Sequence, residues 1–79
     1  MTAIHELDMV QTLVDIAARD DDQAITKGSV GTVVAIATRP SLAYLVEFAD
    51  EYGRTLAMPW MLPGQLRAAQ SCNRRARRG

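Results

Sequence analysis

Lys27 to Phe48 limits what this chain can become more than any other stretch. It holds two runs of β-branched, aliphatic and aromatic residues, Val30 to Ala37 and Leu42 to Phe48, with a break at Arg39-Pro40-Ser41 between them. Such runs joined by a short proline-containing connection predict the paired central strands of a small barrel. Lys27-Gly28 reads as a turn, and Gly31 as a bulge or a place where another backbone comes close. In the first run Thr32, Val34 and Ile36 fall on one face and Val33, Ala35 and Ala37 on the other, so both faces are apolar and the strand is central. In the second, Tyr44, Val46 and Phe48 alternate with Leu45 and Glu47, which points the large residues at the core.

The flanking segments are read as partners for this pair. Leu7 to Ile16 fits a helical stripe through Ile4, Leu7, Val10, Leu13 or Val14, and Ala17, and fits period two through Val10, Thr12, Val14 and Ile16. Its β-branched content, and the need of the later strands for a neighbour, favour a strand. Ala17 to Thr26 contains Asp20-Asp21-Asp22, whose mutual repulsion predicts a solvated loop or a single helical turn. Asp50-Glu51-Tyr52-Gly53 reads as a hairpin loop with Gly where a positive φ is needed. Arg54 to Met58 returns as a strand that Pro59 stops, since proline has no N–H for the ladder. Trp60-Met61-Leu62 is read as an apolar plug, Pro63 to Leu66 as one 3₁₀ turn, and Leu66 to Ala69 as a last short strand. From Gln70 onward nothing asks to be buried, and a disordered C-terminal tail is expected over 70–79 beside one domain over 1–69.

Charge is zero in total and lopsided in place. Residues 1–66 carry four basic against nine acidic groups, 4 − 9 = −5, while residues 67–79 carry five arginines and no acid, +5. The opening residues show no secretory pattern, and no window reaches the roughly 18 apolar residues of a membrane span. Cys72 is the lone cysteine and has no internal disulfide partner. A bacterial-type cytoplasmic setting is expected, with no membrane association.

Lys27-Gly28-Ser29-Val30-Gly31-Thr32-Val33-Val34, then Ala43-Tyr44-Leu45-Val46-Glu47-Phe48, then Gly53-Arg54-Thr55-Leu56-Ala57 resemble, in order and spacing, the small bacterial family called domain of unknown function 4926. The likeness runs from about Leu7 to Leu66; Ser29 stands where the family usually has an acid, and the arginine tail lies outside it. The resemblance implies an all-β, SH3-like barrel of four to five antiparallel strands with a short 3₁₀ turn, and it implies no activity. A loop followed by glycine-x-x-glycine-x-valine is also similar, over that short stretch, to the KOW motif of ribosomal and transcription-elongation proteins.

Residue patterns that could carry chemistry are few. Gly31 is followed by Thr32-Val33, where a phosphate loop places a lysine and then a serine or threonine after its second glycine, so Gly28 and Gly31 read as a turn and bulge. Asp20, Asp21 and Asp22 fail calcium-loop spacing, with Ala24 and Ile25 where acid and glycine are wanted, and offer instead a surface to a basic partner. His5, with Glu6 and Asp8, lacks further metal ligands, and Cys72 has no histidine near it in sequence. No catalytic residue, metal or cofactor is expected. Tyr44 and Phe48 read as core and Trp60 as a lid over the barrel end, which leaves Tyr52 as the aromatic expected in solvent.

The resulting expectation is a non-catalytic protein-binding module: an adaptor, accessory subunit or antitoxin-like inhibitor. It would use its acidic surface or an open strand edge, with Asp20, Asp21, Asp22, Tyr52 and Trp60 toward an unknown protein or a second copy of itself. The alternative is a KOW-like nucleic-acid binder using Lys27 and the loop to Gly31, with Arg74, Arg75, Arg77 and Arg78 on phosphates.

Overall fold

The computed structural model describes residues 4–69. They form an all-β domain of antiparallel strands: β1 Met9–Thr12, β2 Val30–Ala37, β3 Ala43–Ala49, β4 Thr55–Ala57, β5 Trp60–Met61 and β6 Leu66–Ala68, with a 3₁₀ turn at Pro63–Gln65 before β6. The ladder runs β4-β3-β2-β1-β6, and β5 also pairs with β3. The expected tail at 70–79 lies outside the described residues.

The period-two reading of the N-terminal segment holds, over a shorter length than expected. Val10 and Thr12 point inward and are fully buried, while β1 ends at Thr12 because that side chain turns the backbone. Thr12 Oγ1 donates to the Val14 carbonyl at 2.7 Å and accepts the Val14 N–H at 3.2 Å, so the hydroxyl replaces the ladder partners that Val14 gives up.

β2 is central, between β1 and β3, but its faces differ from strict alternation. Val33 pairs with Val46 and Ala35 with Leu45, which leaves Val34 as an extra residue in a bulge. Beyond it Ile36 stands opposite the buried Tyr44 and packs on the core, while Ala35 and Ala37 take the outer face. The close approach expected at Gly31 is real: a Cβ there would lie 2.8 Å from the Glu47 carbonyl oxygen.

Six strands form where four or five were expected because Pro59 splits the return strand. β4 and β5 both lie along β3, and the Pro59 carbonyl still accepts the Val46 N–H at 3.0 Å between them. Trp60 and Met61 are therefore strand residues and not a plug. Met61, opposite Tyr44, is buried; Trp60, opposite Leu45, faces out. Val10, Ile25, Val33, Tyr44, Val46, Phe48, Ala57, Met61 and Leu66 make one core, each large member contributing about 1.5–3 kcal/mol on burial.

Candidate functional site

The excursion from 13 to 29, between β1 and β2, is the long connection of the fold, and connections of more than about 12–15 residues usually serve function. It is an irregular hairpin rather than the solvated loop or helical turn read from the aspartates. Ile16 and Ile25 exchange backbone hydrogen bonds of 2.8 and 2.9 Å, and Arg19 and Asp22 exchange bonds of 3.2 and 2.6 Å around a tip at Asp20-Asp21. Asp20 has a φ of +48°, which an aspartate tolerates in a turn better than a larger residue. Repulsion among the three carboxylates is relieved by placing two of them at a tip in solvent.

Two hydrogen bonds tie this tip to the far side of the sheet. The Gln23 N–H donates to the Leu56 carbonyl of β4 at 2.9 Å, and the Asp22 carboxylate accepts the Met58 N–H at 3.4 Å. Ile25 anchors the returning arm in the core. The outer edge of β4 is thus partly covered, whereas no strand among the described residues pairs with the outer edge of β6.

Between the tip and β5 lies an open groove of about 350 Å³ lined by Arg19, Asp20, Asp21, Asp22, Met58 and Trp60, together with Ile16, Ala17 and Pro59. It continues past Trp60 toward Gln65 at the start of β6. Trp60 is 54 % exposed, so it is a wall of this groove and not a lid on the barrel. Period two decides this: with Met61 filling the core position opposite Tyr44, its neighbour must face the other way. The ion pairs formed among the described residues, His5 with Asp8 and Arg54 with Asp50, leave the three aspartates out.

The remaining expected residues lie apart from the groove. Tyr52 is 76 % exposed at the tip of the β3–β4 hairpin, with the Arg54 guanidinium 5.7 Å from its ring centre. Its turn is held by Asp50, whose carboxylate accepts the N–H groups of Tyr52 and Arg54 at 2.8 and 3.0 Å, and Gly53 takes the expected positive φ of 84°. The Arg54 backbone N–H is the main cause that holds the Asp50 carboxyl below its ordinary value; partial desolvation opposes it, and the Tyr52 N–H and Arg54 side chain add to it.

Lys27 is exposed in the turn before β2, where its N–H donates to Asp15 at 2.7 Å and Gly28 has a φ of +95°. Gly31 is buried against β3, so these two glycines do not present a shared cradle of amides. Arg74, Arg75, Arg77 and Arg78 lie outside the described residues. Among the described residues no helix is long and apolar enough to cross a membrane, and no three potential metal ligands cluster.

Sequence comparison agrees with this architecture. The family described as Domain of unknown function (DUF4926) matches residues 6–68. The chain belongs to the DUF4926 family. The match covers β1 to β6 and the whole of the groove-forming hairpin, so the groove lies within the DUF4926 domain and the arginines of 74–78 lie beyond it. No curated protein and no solved structure matches the chain.

Sequence reasoning picked out Asp20, Asp21, Asp22 and Trp60 separately, and the fold brings them together. It missed Arg19 and Met58, which complete the walls. No local signal marks either residue, because what selects them is the pairing of Gln23 with Leu56, a contact across the chain.

Proposed function

We propose that this DUF4926 domain is a non-catalytic protein-binding module that receives a cationic, extended segment of another protein in the groove between the Asp20–Asp22 tip and Trp60. One observation carries the reading: a half-exposed tryptophan stands beside consecutive carboxylates that form no ion pair among the described residues. Arg19 offsets one charge of the three, leaving the groove negative. A guanidinium or ammonium over an indole face contributes about 0.5–2 kcal/mol according to its desolvation, and the carboxylates steer it there at low salt. Apolar contact with Met58 and Pro59 suits the aliphatic stem of arginine or lysine, which keeps its charged head in water.

Titration of the full chain into short, fluorescently labelled Arg- and Lys-rich peptides, followed by anisotropy, tests this reading. Saturable binding that weakens with salt, and is lost in Trp60→Ala and in the combined Asp20→Asn, Asp21→Asn, Asp22→Asn variant, is expected. Saturable binding of RNA or DNA that survives those changes, and disappears when Arg74, Arg75, Arg77 and Arg78 are replaced, would overturn it in favour of nucleic-acid recognition.

A further inference from the structure

The same chain carries a cationic segment just beyond the groove-forming domain. We infer that residues 70–79 of this chain occupy the Asp20–Trp60 groove intramolecularly, so that an outside partner must displace them. This rests on the reading of the groove as a site for cationic segments and names its resident occupant.

Charge complementarity is the first support. Described residues 4–66 hold all nine acidic groups, whereas 70–79 holds Arg74, Arg75, Arg77 and Arg78 and no acid. Of the acidic positions, Asp20, Asp21 and Asp22 form the one run of three, and they share a groove with an exposed indole. Glu47 is engaged by the Thr55 hydroxyl on the open sheet face, and Asp50 by Arg54 at the far hairpin. The apolar outer stripe of Ala35, Leu45 and Trp60 meets the groove at Trp60 and carries no charge of its own to compete for arginine.

Geometry is the second support. Gln65 lines the groove, and β6 leads directly away from it, held to β1 until the Ala69 N–H donates to the Met9 carbonyl at 3.0 Å. Four residue steps along the strand separate Gln65 from Ala69, about 13 Å at the usual rise. Arg74 is the fifth residue after Ala69, so extended chain carries it up to roughly 17 Å from that point, and Arg78 up to about 30 Å. Both lengths exceed the roughly 13 Å back to Gln65, where the groove begins. A segment tethered so closely has an effective concentration on the order of millimolar, enough to hold an interaction that would be weak between separate molecules.

The test uses the full chain and a variant with Arg74→Gln, Arg75→Gln, Arg77→Gln and Arg78→Gln, all beyond the residues matched by the family. Trp60 is the single tryptophan, so one indole N–H resonance and one emission band report the groove. At low salt the wild-type indole signals are expected to differ from the variant's. Added salt moves the wild-type signals onto the variant's, and the difference is unchanged by dilution. A synthetic peptide Asn-Arg-Arg-Ala-Arg-Arg-Gly is expected to bind the variant about tenfold more tightly than the wild type, which its own segment blocks. Identical indole signals, with the peptide bound equally by both proteins, overturn the inference and leave the groove reading standing. Identical signals with the peptide bound by neither overturn both. A difference that disappears on dilution places the segment in a second molecule and overturns the intramolecular arrangement.

Discussion

Gly31 lies against Val46 so closely that a Cβ on the glycine would sit 2.7 Å from Val46 Cγ1. The same atom would meet the Glu47 carbonyl oxygen at 2.8 Å and Phe48 Cδ1 at 3.0 Å, and a backbone oxygen cannot rotate aside. Gly31→Ala is therefore expected to destabilise the domain by about 1–3 kcal/mol, the usual cost of overpacking, as read by urea denaturation. Gly64→Ala, where nothing stands within 4 Å, is the control and should leave the unfolding midpoint close to wild type.

Thr12 is fully buried and satisfies both backbone groups of Val14 with one hydroxyl. Thr12→Val keeps the shape and removes both bonds. The expected loss is about 1–3 kcal/mol, the cost of leaving buried polar groups unpaired, and Thr12→Ser should recover much of it in the same denaturation assay.

Asp50 makes the β3–β4 hairpin sensitive to acid. Its carboxyl is held below the ordinary value of 3.8, first by the Arg54 backbone N–H, so the folded state binds this proton less readily than the unfolded chain. The stabilisation it supplies is complete above that ordinary value and fades as pH falls through the lower folded value. Thermal midpoints taken from about pH 5 down to about pH 2 should therefore drop less steeply in Asp50→Asn than in wild type. An unchanged slope would show that the hairpin does not depend on the charge.

Trp60 and Phe48 should separate stability from binding. Phe48 is 2 % exposed, and Phe48→Ala is expected to cost about 3–5 kcal/mol and to threaten folding. Trp60 faces outward, and Trp60→Ala is expected to cost no more than about 1 kcal/mol while removing peptide binding. Calorimetry on both variants, beside the fluorescence-independent binding assay of anisotropy with a labelled peptide, would show whether the exposed ring is kept for recognition.

Local pattern was enough for much of the strand content. Alternation at Tyr44, Val46 and Phe48, the positive φ wanted at Gly53, the proline stop at Pro59 and the short turn at Pro63 are each decided within a few residues of chain. Period two also set the inward choice of Val10 and Thr12, where one buried face can be matched only by every second residue.

Tertiary structure decided the rest. The bulge at Val34 sends Ile36 rather than Ala35 inward, because β3 must bring Tyr44 opposite a core residue. Met61 takes the core position opposite Tyr44 and so turns Trp60 out, a choice that Trp60-Met61-Leu62 as a bare apolar run leaves open. The groove exists because Gln23 bonds to Leu56 of β4 and Asp22 to Met58 just after it, each more than thirty positions later in the chain. Side-chain periodicity is written residue by residue and can be read along the sequence; a site made of two distant segments is fixed by which backbones find each other, and that is settled only when the sheet has formed.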